Sequence, residues 1–468
     1  MVRRSLALSC AAALCLWLVV LAFGPAARGA EGMQPEAQPA AAPAAVKAAA
    51  GDSLSLPCRT AILIDQDTGT VLYEKNADQR VSIASITKVM TLLLTFEAIH
   101  AGKIDYDTKV PVSNHAASMG GSQIWLEPGE DFTLDQMLRA ICVSSANDAA
   151  VAVAELVGGS EESFVAMMNA KAAELGMTDT TFKNACGLDT EGHLSTARNV
   201  AILSRTILNQ YPEVLHYSGI WTDTLRNGQT MLVNTNKLLR RYDGITGLKT
   251  GTTGGAGVCI SASATRNGLN LIAVVLGANS SAERFEAATK LLDYGFANYE
   301  AAALPDLSGR PLYLAVTGSG DNEIPLDYTE LPGRLLVPSG GSASLEASIS
   351  LPESCAAPVS LGDQVGTVTV TSNGETVGSW PIRAAADAAR MDFDTAVRLM
   401  LESLFCAQNE GALSCLWGGG GRFLDGKGFA GFFQIGTGIC SFARSSTEFT
   451  RWPGGTLLKL YESKGFWP

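Results

Sequence analysis

The sequence has few of the residues that several common functional sites require. Its 468 residues include only four histidines, and no two of them have the spacing of a zinc-binding pair: His100, His115, His193 and His216. Lysine and arginine number 34 against 46 acidic residues, so the net charge is -12, whereas a nucleic-acid-binding protein needs a basic face. We therefore predict neither a metal site nor a nucleic-acid partner.

Closely spaced cysteines are also absent. The ten cysteines include no C-x-x-C pair, and two of them, Cys10 and Cys15, lie in an apolar stretch near the N-terminus. The other eight are scattered, a pattern that favours small buried side chains over a zinc cluster or a dense disulfide framework. Their spacing alone assigns no disulfide pair.

The N-terminal region is typical of an exported protein. Two arginines precede the apolar run 6–23, and the small residues after it offer a cleavage site near Gly29. We predict a signal peptide over 1–29 and an Ala/Pro-rich linker over 30–52. An uncleaved membrane anchor is the alternative, because the apolar run approaches the length that spans a bilayer.

The folded part of the chain has an α+β pattern. Strand-like runs predict two hairpins, at 61–73 and 258–278. Between them helical spacing dominates, beginning with a largely apolar helix over 85–100. Because distant segments then build one sheet, we predict an α+β domain over 53–300, an antiparallel sheet with helices and a mostly helical insert.

The C-terminal part changes character twice. Short strands and an Asn373-Gly374 turn predict a small all-β domain over 301–388. An amphipathic helix is predicted over 389–405, which either packs on the β domain or lies on a membrane surface. The Gly-rich tail 406–468 has no clear periodicity, and its role is not predicted.

Three short motifs carry the candidate chemistry. Ser85 and Lys88 are three residues apart at the head of a helix, where an amine lies within reach of a hydroxyl and makes it a nucleophile. Taken alone this pair is weak, since it is expected roughly once in a chain of this length. Ser145 and Asn147 follow in a turn between helices, and Lys249–Gly251 opens a strand. The three together predict an acyl-transfer site.

In this order the motifs are the signature of penicillin-binding proteins and serine β-lactamases. The chain resembles a low-molecular-mass penicillin-binding protein, a D-alanyl-D-alanine carboxypeptidase of peptidase family S11, and it is similar to the sporulation-type members. The resemblance implies a penicillin-binding transpeptidase-like fold, as in serine β-lactamases, for the first domain. Further motifs that carry it are 119–123, 187–189, 193–198 and 234–237.

The resemblance implies a peptidoglycan stem peptide ending in D-Ala-D-Ala as the substrate, β-lactams as ligands and no cofactor. Ser85 is expected to attack the carbonyl of the penultimate D-Ala and form an acyl-enzyme. Lys88 is the candidate general base, with burial and the charge of Lys249 lowering its pKa, and Ser145 is expected to relay a proton. By resemblance, the backbone N–H groups of Ser85 and Thr252 form the oxyanion hole.

The remaining expected site residues bind substrate. Asn147 is expected to bond the amide on the acyl side, while Lys249 and Thr250 receive the terminal carboxylate. Gly251 lets the strand approach the substrate closely. His193 belongs to a matching motif and is expected to be structural. The resemblance also favours a membrane surface as the partner of the predicted helix, and hence a place at the outer face of the cytoplasmic membrane or in the cell wall.

Several other functions share parts of this pattern. A class A β-lactamase needs a glutamate that activates the deacylating water, and no Glu-x-x-Leu-Asn occurs between Asn147 and Lys249. A non-catalytic β-lactam or peptidoglycan sensor is disfavoured because every motif residue is present. An endopeptidase that cleaves D-Ala crosslinks uses the same site and is the main alternative.

Overall fold

The computed structural model describes residues 49–50, 54–406, 423–424 and 430–431. They fall into two compact units, Met1–Arg390 and Met391–Pro468, and each is described by itself. The predicted signal peptide and nearly all of the predicted linker and tail lie outside the described residues. The described edge of the linker, β1, pairs in parallel with a later strand, β3.

The first unit alternates between strands and helices. Its helices are α1 (Lys88–His100), α2 (Asn114–Ala117), α3 (Leu134–Arg139), α4 (Asn147–Gly158), α5 (Glu161–Glu174), α6 (Ala197–Gln210), α7 (Val214–Ser218) and α8 (Ser281–Asn298). Its first strands are β1 (Ala49–Ala50), β2 (Thr60–Asp65), β3 (Val71–Lys75), β4 (Lys109–Val110), β5 (Phe132–Thr133), β6 (Thr222–Leu225), β7 (Thr230–Val233), β8 (Ile245–Thr253), β9 (Gly257–Arg266) and β10 (Leu269–Ala278). The predicted α+β pattern is confirmed.

Both ends of this region build one sheet of six strands, in the order β1-β3-β2-β10-β9-β8. Strands β2 and β10 pair antiparallel, which joins residues about 200 positions apart. The β9–β10 hairpin turns at Asn267 and Gly268, both with positive φ, as a two-residue type I′ turn requires. Both predicted hairpins are therefore confirmed.

The sheet is buried on both faces. Along β2, Ile62 and Ile64 belong to one core, while Ala61 and Leu63 belong to the other. This alternation follows from the two-residue period of a strand. Helices α1 and α6 pack in the first core and α8 packs in the second. Each fully buried Ile or Leu contributes about 2 kcal/mol relative to an exposed one.

A smaller all-β region follows α8. Its strands are β11 (Tyr299–Ala302), β12 (Tyr313–Thr317), β13 (Glu323–Asp327), β14 (Leu335–Pro338), β15 (Leu345–Ser350), β16 (Ser354–Ala356), β17 (Gln364–Ser372) and β18 (Glu375–Ala384). Six of them form a sheet in the order β15-β17-β18-β13-β12-β16, and β11 pairs with β14. Asn373 and Gly374 have positive φ in the predicted turn. The domain limits 53–300 and 301–388 stay a prediction.

The second unit contains α9 (Phe393–Cys406) and two short strands, β19 (Phe423–Leu424) and β20 (Ala430–Gly431). Helix α9 begins four residues later than the predicted segment 389–405. The Asp392 carboxylate explains this start, because it accepts the Thr395 backbone N–H at 2.7 Å and so caps the helix. Within the described part of the chain, no helix is long and apolar enough to cross a membrane.

Candidate active site

Ser85 lies on a 3-10 turn, Ala84–Thr87, and α1 begins only at Lys88. The sequence predicted one helix from Ser85, so the start of this helix is a correction. Ala84 has a positive φ of 49°, and the backbone of Gly187 packs against it. A Cβ on Gly187 would lie 2.0 Å from the Ala84 carbonyl oxygen, so only glycine fits at this contact.

The Lys88 amine lies at the centre of the site. Its Nζ is 3.0 Å from Ser85 Oγ, 2.6 Å from Asn147 Oδ1 and 2.7 Å from the Cys186 carbonyl oxygen. The side chain is fully buried. Three acceptors match the three N–H bonds of an ammonium, and a neutral amine in this place has a lone pair for the Ser85 proton. The predicted contact between Ser85 and Lys88 is thus present.

Ser145 and Lys249 form a second pair. Ser145 has φ 63° and ψ 32°, a left-handed conformation at the turn where α4 starts, and its Oγ accepts from Lys249 Nζ at 2.9 Å. Lys249 also donates to the Thr250 carbonyl oxygen at 3.0 Å. The left-handed turn aims a side chain that would continue along a helix elsewhere. Ser145 is therefore positioned for proton transfer with Lys249.

Burial lowers the pKa of both lysines. For Lys88 it lowers the pKa to about 8, and the nearby Cys186 and Asp148 act in the opposite direction. For Lys249, burial and then the charge of Lys88 lower the pKa well below its usual value. The sequence analysis expected the charge of Lys249 to act on Lys88. Burial is the first cause in both residues, and it makes an amine available as a base.

Strand β8 passes directly beside the Ser85 turn. A Cβ on Gly251 would lie 2.9 Å from both the Ile83 carbonyl oxygen and the Ser85 backbone nitrogen. Glycine is therefore needed for the strand to lie this close. The Ser85 N–H and the following residue of the strand, Thr252, come to neighbouring positions. This is the arrangement that the predicted oxyanion hole requires.

Three residues that the sequence analysis did not assign also build the site. Thr235 Oγ1 lies 2.6 Å from Thr250 Oγ1, so two hydroxyls face the predicted carboxylate position. Arg284 of α8 is 6% exposed and donates from Nη1 to the Gly251 carbonyl oxygen at 3.2 Å. Burial lowers the pKa of Arg284 to about 10. Thr235 stood in one of the quoted motifs, whereas Arg284 had no distinguishing sequence signal.

Asp148 is the third of these residues. Its carboxylate is fully buried and accepts the backbone N–H groups of Ile124 and Leu126, at 3.0 and 3.1 Å. The neighbouring Asn147 donates from Nδ2 to the Gly120 carbonyl oxygen at 2.6 Å. The segment 120–126 is thereby tied to the site through two consecutive side chains. Its Gly-Gly-Ser-Gln wording was noted in the sequence without this role.

His193 supports the Ser85 turn from below. Its Nε2 lies 2.8 Å from Thr87 Oγ1, and its Nδ1 accepts the Lys183 backbone N–H at 3.2 Å. Nε2 is therefore the protonated nitrogen and donates to Thr87. Burial lowers the pKa of His193 to about 4, so the ring is neutral at pH 7. The geometry fits the structural role expected for His193. Among the described residues, no group of His, Cys, Asp or Glu could hold a metal ion.

Comparison with known proteins agrees with this geometry. Residues 45–280 match the family model described as D-alanyl-D-alanine carboxypeptidase, Peptidase S11, and residues 312–390 match the penicillin-binding protein 5 C-terminal domain. The chain belongs to the S11 D-alanyl-D-alanine carboxypeptidase family. The predicted family and fold class, an α+β domain followed by an all-β domain, are confirmed.

The S11 relatives cover most of the chain. D-alanyl-D-alanine carboxypeptidase DacF of Bacillus subtilis is 41% identical over 346 residues, which are 73% of this chain and 88% of that protein. DacC of Escherichia coli is 35% identical, over 70% of this chain and 83% of its own. The structure of penicillin binding protein 5 from Haemophilus influenzae, 29% identical, has a TM-score of 0.65 and covers 72% of this chain and 98% of its own. The chain is thus a penicillin-binding serine hydrolase of the carboxypeptidase type.

Proposed function

We propose that Ser85 removes the terminal D-alanine from peptidoglycan stem peptides through an acyl-enzyme. The observation that carries this proposal is the 3.0 Å contact between Lys88 Nζ and Ser85 Oγ in a fully buried environment. A nucleophile needs a base within hydrogen-bond reach, and the base needs a pKa near the working pH. Lys88 meets both conditions.

The first half-reaction follows from the contacts. Neutral Lys88 takes the Ser85 proton while Oγ attacks the carbonyl carbon of the penultimate D-Ala. The N–H groups of Ser85 and Thr252 stabilise the oxyanion, each contributing about 3 kcal/mol. When the peptide bond breaks, the leaving amine takes a proton that passes through Ser145, which is 2.9 Å from Lys249. The products are free D-alanine and an ester on Ser85.

The second half-reaction releases the shortened peptide. Lys88 is positioned to take a proton from water as the water attacks the ester, and the Ser85 oxygen is protonated as the ester breaks. The free C-terminal carboxylate of the substrate is held by Lys249 with the hydroxyls of Thr250 and Thr235, which are 2.6 Å apart. Asn147 holds both Lys88 and the amide on the acyl side of the substrate. This arrangement accounts for specificity towards a free C-terminus.

The assignment of Ser85 is tested by replacing it with alanine. We expect Ser85→Ala to abolish both D-alanine release and covalent labelling by a fluorescent penicillin, because each needs the Oγ atom. Ser348→Ala, an exposed serine of β15, is the matched control and is expected to keep both activities. Penicillin labelling that survives in Ser85→Ala would contradict the proposal.

Endopeptidase action on D-Ala crosslinks is the second candidate, since it uses the same nucleophile. The proximity of Lys249 and the two threonine hydroxyls favours a substrate with a carboxylate beside the scissile bond. We therefore expect faster D-alanine release from a pentapeptide than cleavage of a crosslinked dimer. Rates measured on both substrates with one enzyme preparation decide between the two, and a faster dimer reaction would reverse the assignment.

We further propose that the protein is exported and lies on a membrane surface through 389–405. Within α9, Phe393, Val397 and Met400 follow the spacing of one helical face, and polar residues follow another. Ending the chain at Ala389 is expected to release the protein from lipid vesicles while D-alanine release continues. A truncated protein that still floats with vesicles would reject this anchor. A role in sporulation stays a prediction.

A further inference from the structure

Trp125 is the most unusual residue at the edge of the site. It is 73% exposed, more than any other large hydrophobic residue among the described residues for which exposure is given. Its φ of 59° is one that bulky side chains rarely adopt, and such a conformation costs about 1–3 kcal/mol. Neighbouring Ile124 and Leu126 are 1% and 4% exposed, so the segment packs well on both sides of the indole. The exposed, strained indole therefore needs an explanation outside packing.

Two charged side chains hold Trp125 in this conformation. The buried Asp148 carboxylate accepts the N–H groups of Ile124 and Leu126. From the other side, Arg226 donates to the Ile124 carbonyl oxygen at 2.8 Å and to the Trp125 carbonyl oxygen at 3.0 Å. Arg226 is itself fixed by a 2.7 Å ion pair with Glu130. The indole is thus presented on a rigid support.

The same support extends along strand β7. Arg226 Nη1 also donates to Thr230 Oγ1 at 3.0 Å, and the strand then exposes Met231 at 71% and Val233 at 46%. Two residues farther on, Thr235 reaches Thr250 in the carboxylate site. An apolar surface of Trp125, Met231 and Val233 therefore borders the wall of the active site. We call it the Trp125 surface.

A carboxylate completes this surface. Glu127 is exposed and lies two residues from Trp125, with the buried Leu126 between them. Alternate residues of an extended segment point to the same side. An indole beside a carboxylate suits an aliphatic side chain that ends in an amine, because the methylenes contact the ring and the ammonium meets both the carboxylate and the ring face.

The position of the surface indicates which part of the substrate it meets. In the proposed mechanism Asn147 bonds the amide between the penultimate D-Ala and the residue before it. Asn147 and Asp148 are consecutive, and both bond the segment that carries Trp125. One residue of extended peptide spans about 3.4 Å. The side chain of the residue before D-Ala-D-Ala therefore leaves the backbone beside this segment.

We propose that the Trp125 surface, with Glu127, is a specificity site for an amine-bearing aliphatic side chain on the residue that precedes D-Ala-D-Ala. This inference rests on the proposed carboxypeptidase function and adds the recognition of the third residue from the C-terminus. It also explains why a strained tryptophan is kept exposed: the strain fixes the indole before the substrate arrives, so less entropy is lost on binding.

The experiment compares three acetylated tripeptides that end in D-Ala-D-Ala and begin with lysine, norleucine or glycine. We expect Trp125→Ala to lower kcat/KM about tenfold on the lysine peptide, mainly through KM, and to leave the glycine peptide within about twofold. Trp125→Phe is expected to restore most of the loss. Glu127→Gln is expected to lower the lysine rate about threefold, to the norleucine level, with norleucine unchanged.

Two controls separate recognition from folding. Penicillin labelling of each variant reports an intact Ser85 site, and Leu312→Ala removes another exposed apolar side chain, 58% exposed in the β region, with no expected effect on the peptide ratios. Equal losses on all three peptides, or no change in their ratios, overturn the specificity site alone. A wild-type protein that labels with penicillin but hydrolyses none of them overturns the proposed function and this inference with it.

Discussion

Replacing Lys88 with arginine tests whether the buried amine is the general base. Arginine keeps the positive charge and the donors, but its guanidinium is not deprotonated in proteins. With the pKa of Lys88 at about 8, roughly 10% of the amine is neutral at pH 7, against roughly 0.03% at the usual pKa of 10.5. Burial therefore increases the amount of available base about 300-fold. We expect Lys88→Arg to slow acylation about 100-fold to 10,000-fold.

The assay is the rate of acylation by a fluorescent penicillin, followed from pH 6 to 9.5. Between pH 7 and 9 the neutral fraction of Lys88 rises from roughly 10% to 90%, so the wild-type rate is expected to rise about tenfold. Lys88→Arg should lose both the rate and its pH dependence. Lys290→Arg is the matched control, because Lys290 is exposed on α8 and pairs only with Glu286 at 2.8 Å among the described ion pairs.

Two results would refute the reasoning. A Lys88→Arg variant that acylates within tenfold of the wild type shows that another group takes the Ser85 proton. A wild-type midpoint near pH 10.5 shows that burial does not lower the pKa of Lys88. Since Lys88 and Lys249 interact, the measured midpoint belongs to the pair, and Ser145→Ala, which leaves both amines in place, is expected to keep its position.

The remaining predictions concern binding, packing and pH. Thr235→Val removes the hydroxyl 2.6 Å from Thr250 and is expected to raise KM for D-Ala-D-Ala peptides about fivefold with kcat nearly unchanged, as steady-state kinetics will show. Gly187→Ala places a methyl group against Ala84 and is expected to lower both the stability, by about 2–4 kcal/mol in urea unfolding, and penicillin labelling; native values for both would contradict the close contact. The pKa of Lys88 is about 8 folded and 10.5 unfolded, so the unfolded chain binds more protons between these values and the free energy of unfolding should rise with pH across that window; Lys88→Met should flatten this rise.

The elements with strong local signals could be predicted from the sequence. Asn-Gly at 373–374 and Asn267-Gly268 supply positive φ where a two-residue hairpin needs it, so both turns could be placed. The contact between Ser85 and Lys88 also follows from spacing alone, because i and i+3 residues are neighbours in both 3-10 and α-helices. Local geometry decides these features, and local sequence therefore reveals them.

Other features depend on residues far away in the chain. The 3-10 turn at Ser85 is shaped by Gly187, about 100 positions later, and no spacing rule connects them. Arg284 on α8 has the sequence signature of an ordinary helix surface, yet the fold buries it against β8. Asp148 was hidden in the same way beside Asn147. A charged residue is assigned to solvent by pattern, and only the tertiary contacts show that its carboxylate has three backbone donors.

The pairing of β2 with β10 has a consequence for how the enzyme is made. The nucleophile follows one of these strands closely, whereas the other ends at Ala278, after Lys249 has been synthesised. A nascent chain that stops before β10 has β2 with an unpaired edge and no carboxylate-binding strand beside Ser85. Long-range strand pairing of this kind is slow to form, and an exposed strand edge invites aggregation. The reactive serine therefore stays inert during most of synthesis and gains its base, relay and anion site only when the last strand closes the sheet.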